Sequence, residues 1–123
     1  MSAAALAQPQ KADWSKFWPP FQAAVAKHDA KAIAAMAQFP LDWELGKVRK
    51  IQTAADFVTN FSRYFPADMI NAVATQKPFF DPGGEYYTIS WKAHGDECTL
   101  FFKDNRKGAF VLEALSEGPP MAP

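Results

Sequence analysis

The spacing of large apolar residues changes period once along this chain, and that change constrains the fold more than any other feature. In the first half, bulky side chains return at helical intervals. Trp14, Phe17, Trp18, Phe21 and Val25 fall on one face, as an amphipathic helix requires. Beyond Pro78 the pattern alternates. Tyr87, Ile89 and Trp91 are set against Tyr86, Thr88, Ser90 and Lys92, and Cys98, Leu100 and Phe102 against Thr99 and Phe101. A period of two belongs to strands with one buried face. Helices first and a meander afterwards predict an α+β domain, because a parallel βαβ fold would interleave the two periods.

Local signals divide the chain further. Asp13 is a candidate N-cap, and the first helix is expected to run on, kinked, through Pro19-Pro20. His28-Asp29 interrupts it. Asp29 caps a second short helix that carries Ile33 and Met36 inward and ends at Phe39-Pro40. Over 41–49, Leu41, Trp43 and Leu45 alternate with Asp42 and Glu44, which predicts a strand, with a solvated basic turn over 46–50. Thr53 and Asp56 open a long helix over 53–65 in a capping-box-like arrangement, with Phe57, Val58, Phe61, Tyr64 and Phe65 on its face. A short helix over 67–73 follows. Turns at Asp81-Pro82-Gly83-Gly84, Ala93-His94-Gly95-Asp96 and Asp104-Asn105-Arg106-Lys107 then separate three strands over 85–92, 97–103 and 108–116. The domain proper spans 13–117, between an Ala/Gln/Pro-rich leader over 1–12 and a Gly/Pro-rich tail over 118–123.

Composition removes several function classes. Thirteen basic and thirteen acidic residues cancel, so the chain lacks the net basic face that a nucleic-acid partner demands. Cys98 is the single cysteine, which excludes an internal disulfide and a cysteine-based zinc site. His28 and His94 both fall in connections far apart, so neither a metal site nor a catalytic dyad is expected, and no cofactor motif is present. No stretch approaches the ~20 apolar residues of a membrane span. Ala5-Leu6-Ala7 matches the small-residue pattern of a signal-peptide cleavage site. A periplasmic or secreted location is the expectation from that motif; without it the chain would be cytoplasmic.

The order of elements resembles a known superfamily. An aromatic first helix over 14–25 precedes the segment from Lys27-His28-Asp29 to Gln38-Phe39-Pro40. A strand follows, then a Phe-rich helix from Ala55-Asp56-Phe57 to Tyr64, and strands from Tyr86 to Leu115. This resembles the NTF2-like (cystatin-like, cone-shaped α+β) superfamily over most of residues 13–116. The resemblance implies N-terminal helices packed on a curved antiparallel sheet that wraps a long helix, here the one over 53–65, and leaves a cone-shaped pocket. Its isomerase-type members use an acidic base after the second helix. Asp42 sits near that place, although Phe39-Pro40-Leu41-Asp42-Trp43 does not reproduce their local pattern. Such breadth of function makes the site, not the fold, decisive.

Three readings follow. Aromatic residues are plentiful, with 11 Phe and 4 Trp, and Trp18, Trp43, Tyr64, Tyr87 and Trp91 are candidates to line a pocket for a small apolar ligand. Tyr86, Thr88, Phe101 and Val111 fall on the opposite sheet face and are candidates for docking a second copy as a homodimer. In the enzyme reading, an isomerase or dehydratase uses Asp42 as general base with Tyr64 or Tyr87 as hydrogen-bond donor. Acids alternating with apolar residues more often mark a solvated strand face, so no catalytic residue is assigned. A surface-acting interaction module is the third reading, and it predicts an interior filled by the chain's own side chains.

Overall fold

A computed structural model of the chain describes residues 12–45, 48–83 and 86–119. The leader motif Ala5-Leu6-Ala7, the end of the tail, Gly46-Lys47 of the basic turn and Gly84 of the first predicted turn lie outside the described residues. Helix α1 (Trp14–Ala26) starts at Asp13, whose carboxylate accepts from the Ser15 amide at 3.0 Å. The Ser15 hydroxyl bond, and after it the amide bond, hold that carboxyl below its usual pKa. The helix continues through Pro19 and Pro20, both exposed, so water can serve the two carbonyls that lose their donors. His28 takes a left-handed conformation, φ 56°, and reverses the chain. Asp29 then caps α2 (Ala30–Ala35) through the Ala32 amide at 3.1 Å.

Next comes a hairpin in place of the expected single strand. Strands β1 (Ala37–Leu45) and β2 (Val48–Ile51) pair antiparallel, with Leu45 opposite Val48 and Leu41 opposite Ile51. Leu41, Trp43 and Ile51 all face the core. The basic residues Arg49 and Lys50 therefore belong to a strand. The expected long helix over 53–65 is divided into α3 (Ala54–Thr59) and α4 (Phe61–Tyr64). The Asn60 side chain at the break donates to the Asp56 carbonyl at 3.2 Å and its carboxylate at 2.7 Å, a local bond that competes with helical pairing. Helix α5 (Ala67–Thr75) follows.

The meander has four strands: β3 (Phe79–Asp81), β4 (Tyr86–Ala93), β5 (Asp96–Asp104) and β6 (Phe110–Gly118). The six-stranded sheet has the order β2-β1-β6-β5-β4-β3 and is mixed, because β1 joins β6 in parallel while the other described pairs are antiparallel. A register shift beside Phe101 and Phe102 places one extra residue, Glu113, in β6. That bulge lets Leu112 and Leu115 both face inward despite their odd spacing.

Helices cover one side of the sheet. Trp14 of α1 stacks on Tyr87 with ring centroids 3.8 Å apart and meets Phe110 edge-on at 5.2 Å, and Phe21 meets Phe102 edge-on at 5.2 Å. The meander thus packs on α1 and, through β4, on α5. The 53–65 segment instead covers the β1–β2 end, where Trp43 stacks on Phe65 at 5.7 Å. This differs from a sheet wrapped around the 53–65 helix, because the rings of α1 meet Tyr87, Phe102 and Phe110 of the meander, whereas Phe65 meets Trp43 of β1.

Candidate functional site

The described core is closely filled by its own side chains. Leu41, Trp43, Ile51, Phe57, Val73, Leu100, Phe102 and Leu112 have no solvent exposure at all. Trp18 is buried, with its ring edge-on to Phe102 at 5.5 Å. The Trp43 indole donates to the Tyr64 carbonyl at 3.2 Å, and the Tyr64 hydroxyl donates to Asp56 Oδ2 at 3.0 Å. Burial and the Asp56 bond push the Tyr64 hydroxyl above its usual pKa. Tyr87 is held between Trp14 and Phe80. Of the five candidate pocket residues, Trp18, Trp43 and Tyr64 fill the core, Tyr87 is stacked against α1, and Trp91 borders a cavity of 220 Å³ at the sheet end. They do not converge on one ligand site.

Asp42 is on the other side of the sheet. Its side chain is 70% exposed and pairs with Lys50 Nζ at 3.4 Å. Trp43, its neighbour, takes the inward position, so Asp42 must point outward because successive strand residues alternate. Neither Tyr64 nor Tyr87 shares its face. Asp42 is thus an exposed carboxylate in an ion pair with Lys50, apart from both tyrosines expected as its hydrogen-bond donors. Among the described residues, no group of three His, Cys, Asp or Glu side chains is gathered as a metal site.

The outward face does bring its candidates together. Cross-strand partners run from Phe79 to Thr88, Phe101, Ala114, Asp42 and Lys50, one residue on each strand. The adjacent line runs Asp81, Tyr86, Lys103, Val111. Directly paired residues share a face, so Tyr86, Thr88, Phe101 and Val111 form one patch. Tyr86 meets Phe101 edge-on at 5.5 Å, and Asp81 hydrogen-bonds the Tyr86 hydroxyl and raises its pKa. Ser90 and Thr99 bond at 3.0 Å beside the patch, and Lys103 pairs with Glu113 at 3.1 Å across it. Among the described residues no helix lies over this side.

Phe79 extends the patch to the sheet edge and is 67% exposed. The alternation over 86–102 does not reach it, because Phe79 lies before the turn at Asp81-Pro82. The signal was nevertheless present: in an extended segment, two adjacent phenylalanines must face opposite sides. Phe80 does take the helix side, 4.9 Å from Tyr87, and Phe79 the open side. Comparison with known proteins adds no relative: no family model, curated protein or solved structure matches the chain.

Proposed function

We propose that this chain is a non-catalytic NTF2-like interaction domain that acts through the outward face of its sheet, by docking a second copy of itself face to face. The observation that carries the reading is the line Phe79–Thr88–Phe101–Ala114, an aromatic and small-residue strip on a sheet face over which no helix lies among the described residues. The order of helices, hairpin, helices and meander supports the NTF2-like assignment. The side chains that fill the interior favour surface action over an apolar ligand held inside.

A second copy fits this face for two reasons. Its charges come in both signs, Asp42 with Lys50 and Lys103 with Glu113, and the chain carries no net charge. A two-fold rotation can therefore bring opposite charges together without net repulsion. Six strands spaced ~4.8 Å apart, averaging ~15 Å of usable length with the two edge strands shorter, make a projected face of roughly 400 Å². Side-chain relief raises that area toward the ~800 Å² per partner of a standard interface.

Sedimentation equilibrium tests the reading. Wild-type protein should sediment as a dimer and Phe101→Glu as a monomer with an unchanged circular-dichroism spectrum. A wild-type monomer at high micromolar concentration, or a Phe101→Glu variant that remains dimeric, would overturn it.

A further inference from the structure

A second site lies at the end of the sheet where β4 turns into β5. A cavity of 220 Å³ opens there between the strand ends and the junction of α4 with α5. Trp91, Met69 and Leu45 supply apolar wall. The Trp91 indole is fixed in place, because its Nε1–H donates to Asp68 Oδ2 at 2.8 Å and so ties β4 to the first turn of α5. An anchored ring that is only half-buried presents surface to the cavity at little cost in side-chain ordering.

Among the described residues, the charge around this cavity is net negative. Asp68 and Glu117 are in the wall, and Arg63, His94 and Cys98 are the other titratable residues among its described lining. Asp96 and Glu97 lie near enough to act, with Glu117 and Asp68, on the wall residue Cys98. Its thiol is pushed up to about 11, first by burial and then by those four carboxylates. Against them stand Arg63 in the lining and Lys92 opposite Glu97 on the other side of the sheet. The 340 Å³ cavity beside the start of α1 differs in this respect, since Asp13 and Lys16 offset each other there.

We propose that the Trp91 cavity binds a small organic cation. Its ammonium group faces Asp68 and Glu117, and its alkyl body lies on the indole of Trp91. An aromatic face next to carboxylates attracts cations through the ring quadrupole and the local field together. The volume limits the ligand to a head group of a few carbons. The site shares no residue with the outward sheet face, so its test stands apart from that of the dimer.

The probe pair is choline and 3,3-dimethylbutan-1-ol, which have nearly the same shape and differ in charge. In the ¹⁵N-labelled full chain, loss of one indole cross-peak in Trp91→Phe assigns the Trp91 signal. Choline should move that signal saturably, with a dissociation constant on the order of 1–10 mM, and the alcohol should bind at least about tenfold more weakly. Asp68→Asn keeps a carbonyl acceptor for the indole and removes the charge, so it should weaken choline about fivefold or more and leave the alcohol unchanged. Equal affinity of the wild type for the two probes, or no saturable shift with choline up to about 100 mM, would overturn the proposal.

Discussion

The two faces of one sheet are built by the same strands and have opposite fates. On β5, Cys98, Leu100 and Phe102 are sealed against the helices, whereas Thr99, Phe101 and Lys103 keep partial exposure on the other side. The inward face is closed by side chains from α1, α3 and α5, with aromatic rings meeting at 5–6 Å and Trp14 stacked on Tyr87 at 3.8 Å. The outward face is only half-buried, and its contacts are cross-strand pairs. Alternation along a strand assigns side chains to two faces. What covers each face depends on which elements are available to pack there, and all the described helices fall on one side.

That contrast sets the expected size of mutational effects. Trp43→Ala should cost about 4 kcal/mol in urea unfolding, because it empties a fully buried site and leaves the Tyr64 carbonyl without its indole donor. Phe101→Ala on the outward face should cost under about 1 kcal/mol in the monomer. Equal losses at the two positions would break the comparison. Asp56→Ala should cost about 2 kcal/mol by the same measurement, since the buried Tyr64 hydroxyl loses its acceptor and Asn60 loses its strongest partner.

Phe79→Ser sharpens the comparison from the other side. It should leave monomer unfolding within about 0.5 kcal/mol while weakening self-association about tenfold in sedimentation equilibrium. Alkaline titration separates the faces as well. Tyr64 and Tyr86 both have raised pKa values, the first mainly through burial and the second through Asp81. A raised folded pKa means that the neutral phenol is favoured in the fold. The stabilisation is therefore complete below the ordinary value of 10.0 and is lost as pH climbs through the folded values. Absorbance titration of Asp56→Asn should bring the Tyr64 transition to lower pH and leave that of Tyr86 in place. The smallest effect is expected from Asp42→Ala, under about 0.5 kcal/mol in urea unfolding, because its ion pair with Lys50 is solvent-exposed.

Several features were legible in the sequence because each rests on a short-range pattern. Asp13, Asp29 and Thr53 act as caps, and the alternation from Tyr86 to Phe102 sorts residues correctly into inward and outward sets. The four outward candidates Tyr86, Thr88, Phe101 and Val111 come together for that reason. Features that depend on a distant partner were not legible. Strand β3 is too short to show a period, and pairing with β4 alone defines it. The β1–β2 hairpin was hidden because Gly46-Lys47 sits inside one run of charged residues. The break at Asn60 follows from a side-chain bond in a segment whose apolar face is unbroken. The five aromatic pocket candidates share a composition but not a location, because a large ring serves core and pocket equally well.

By itself, the sequence determined that helices precede a sheet and which side of each meander strand is apolar, because periodicity and capping act over a few residues and need no partner. The tertiary structure alone decided that β1 lies parallel to β6, that α1 is the helix on which the meander packs, and that Asp42 faces solvent beside Lys50. It also decided that no described helix packs on the aromatic strip from Phe79 to Phe101. Each of these depends on which surfaces meet across long separations in the chain, and alternation in a sequence names two faces without saying which one a helix will take.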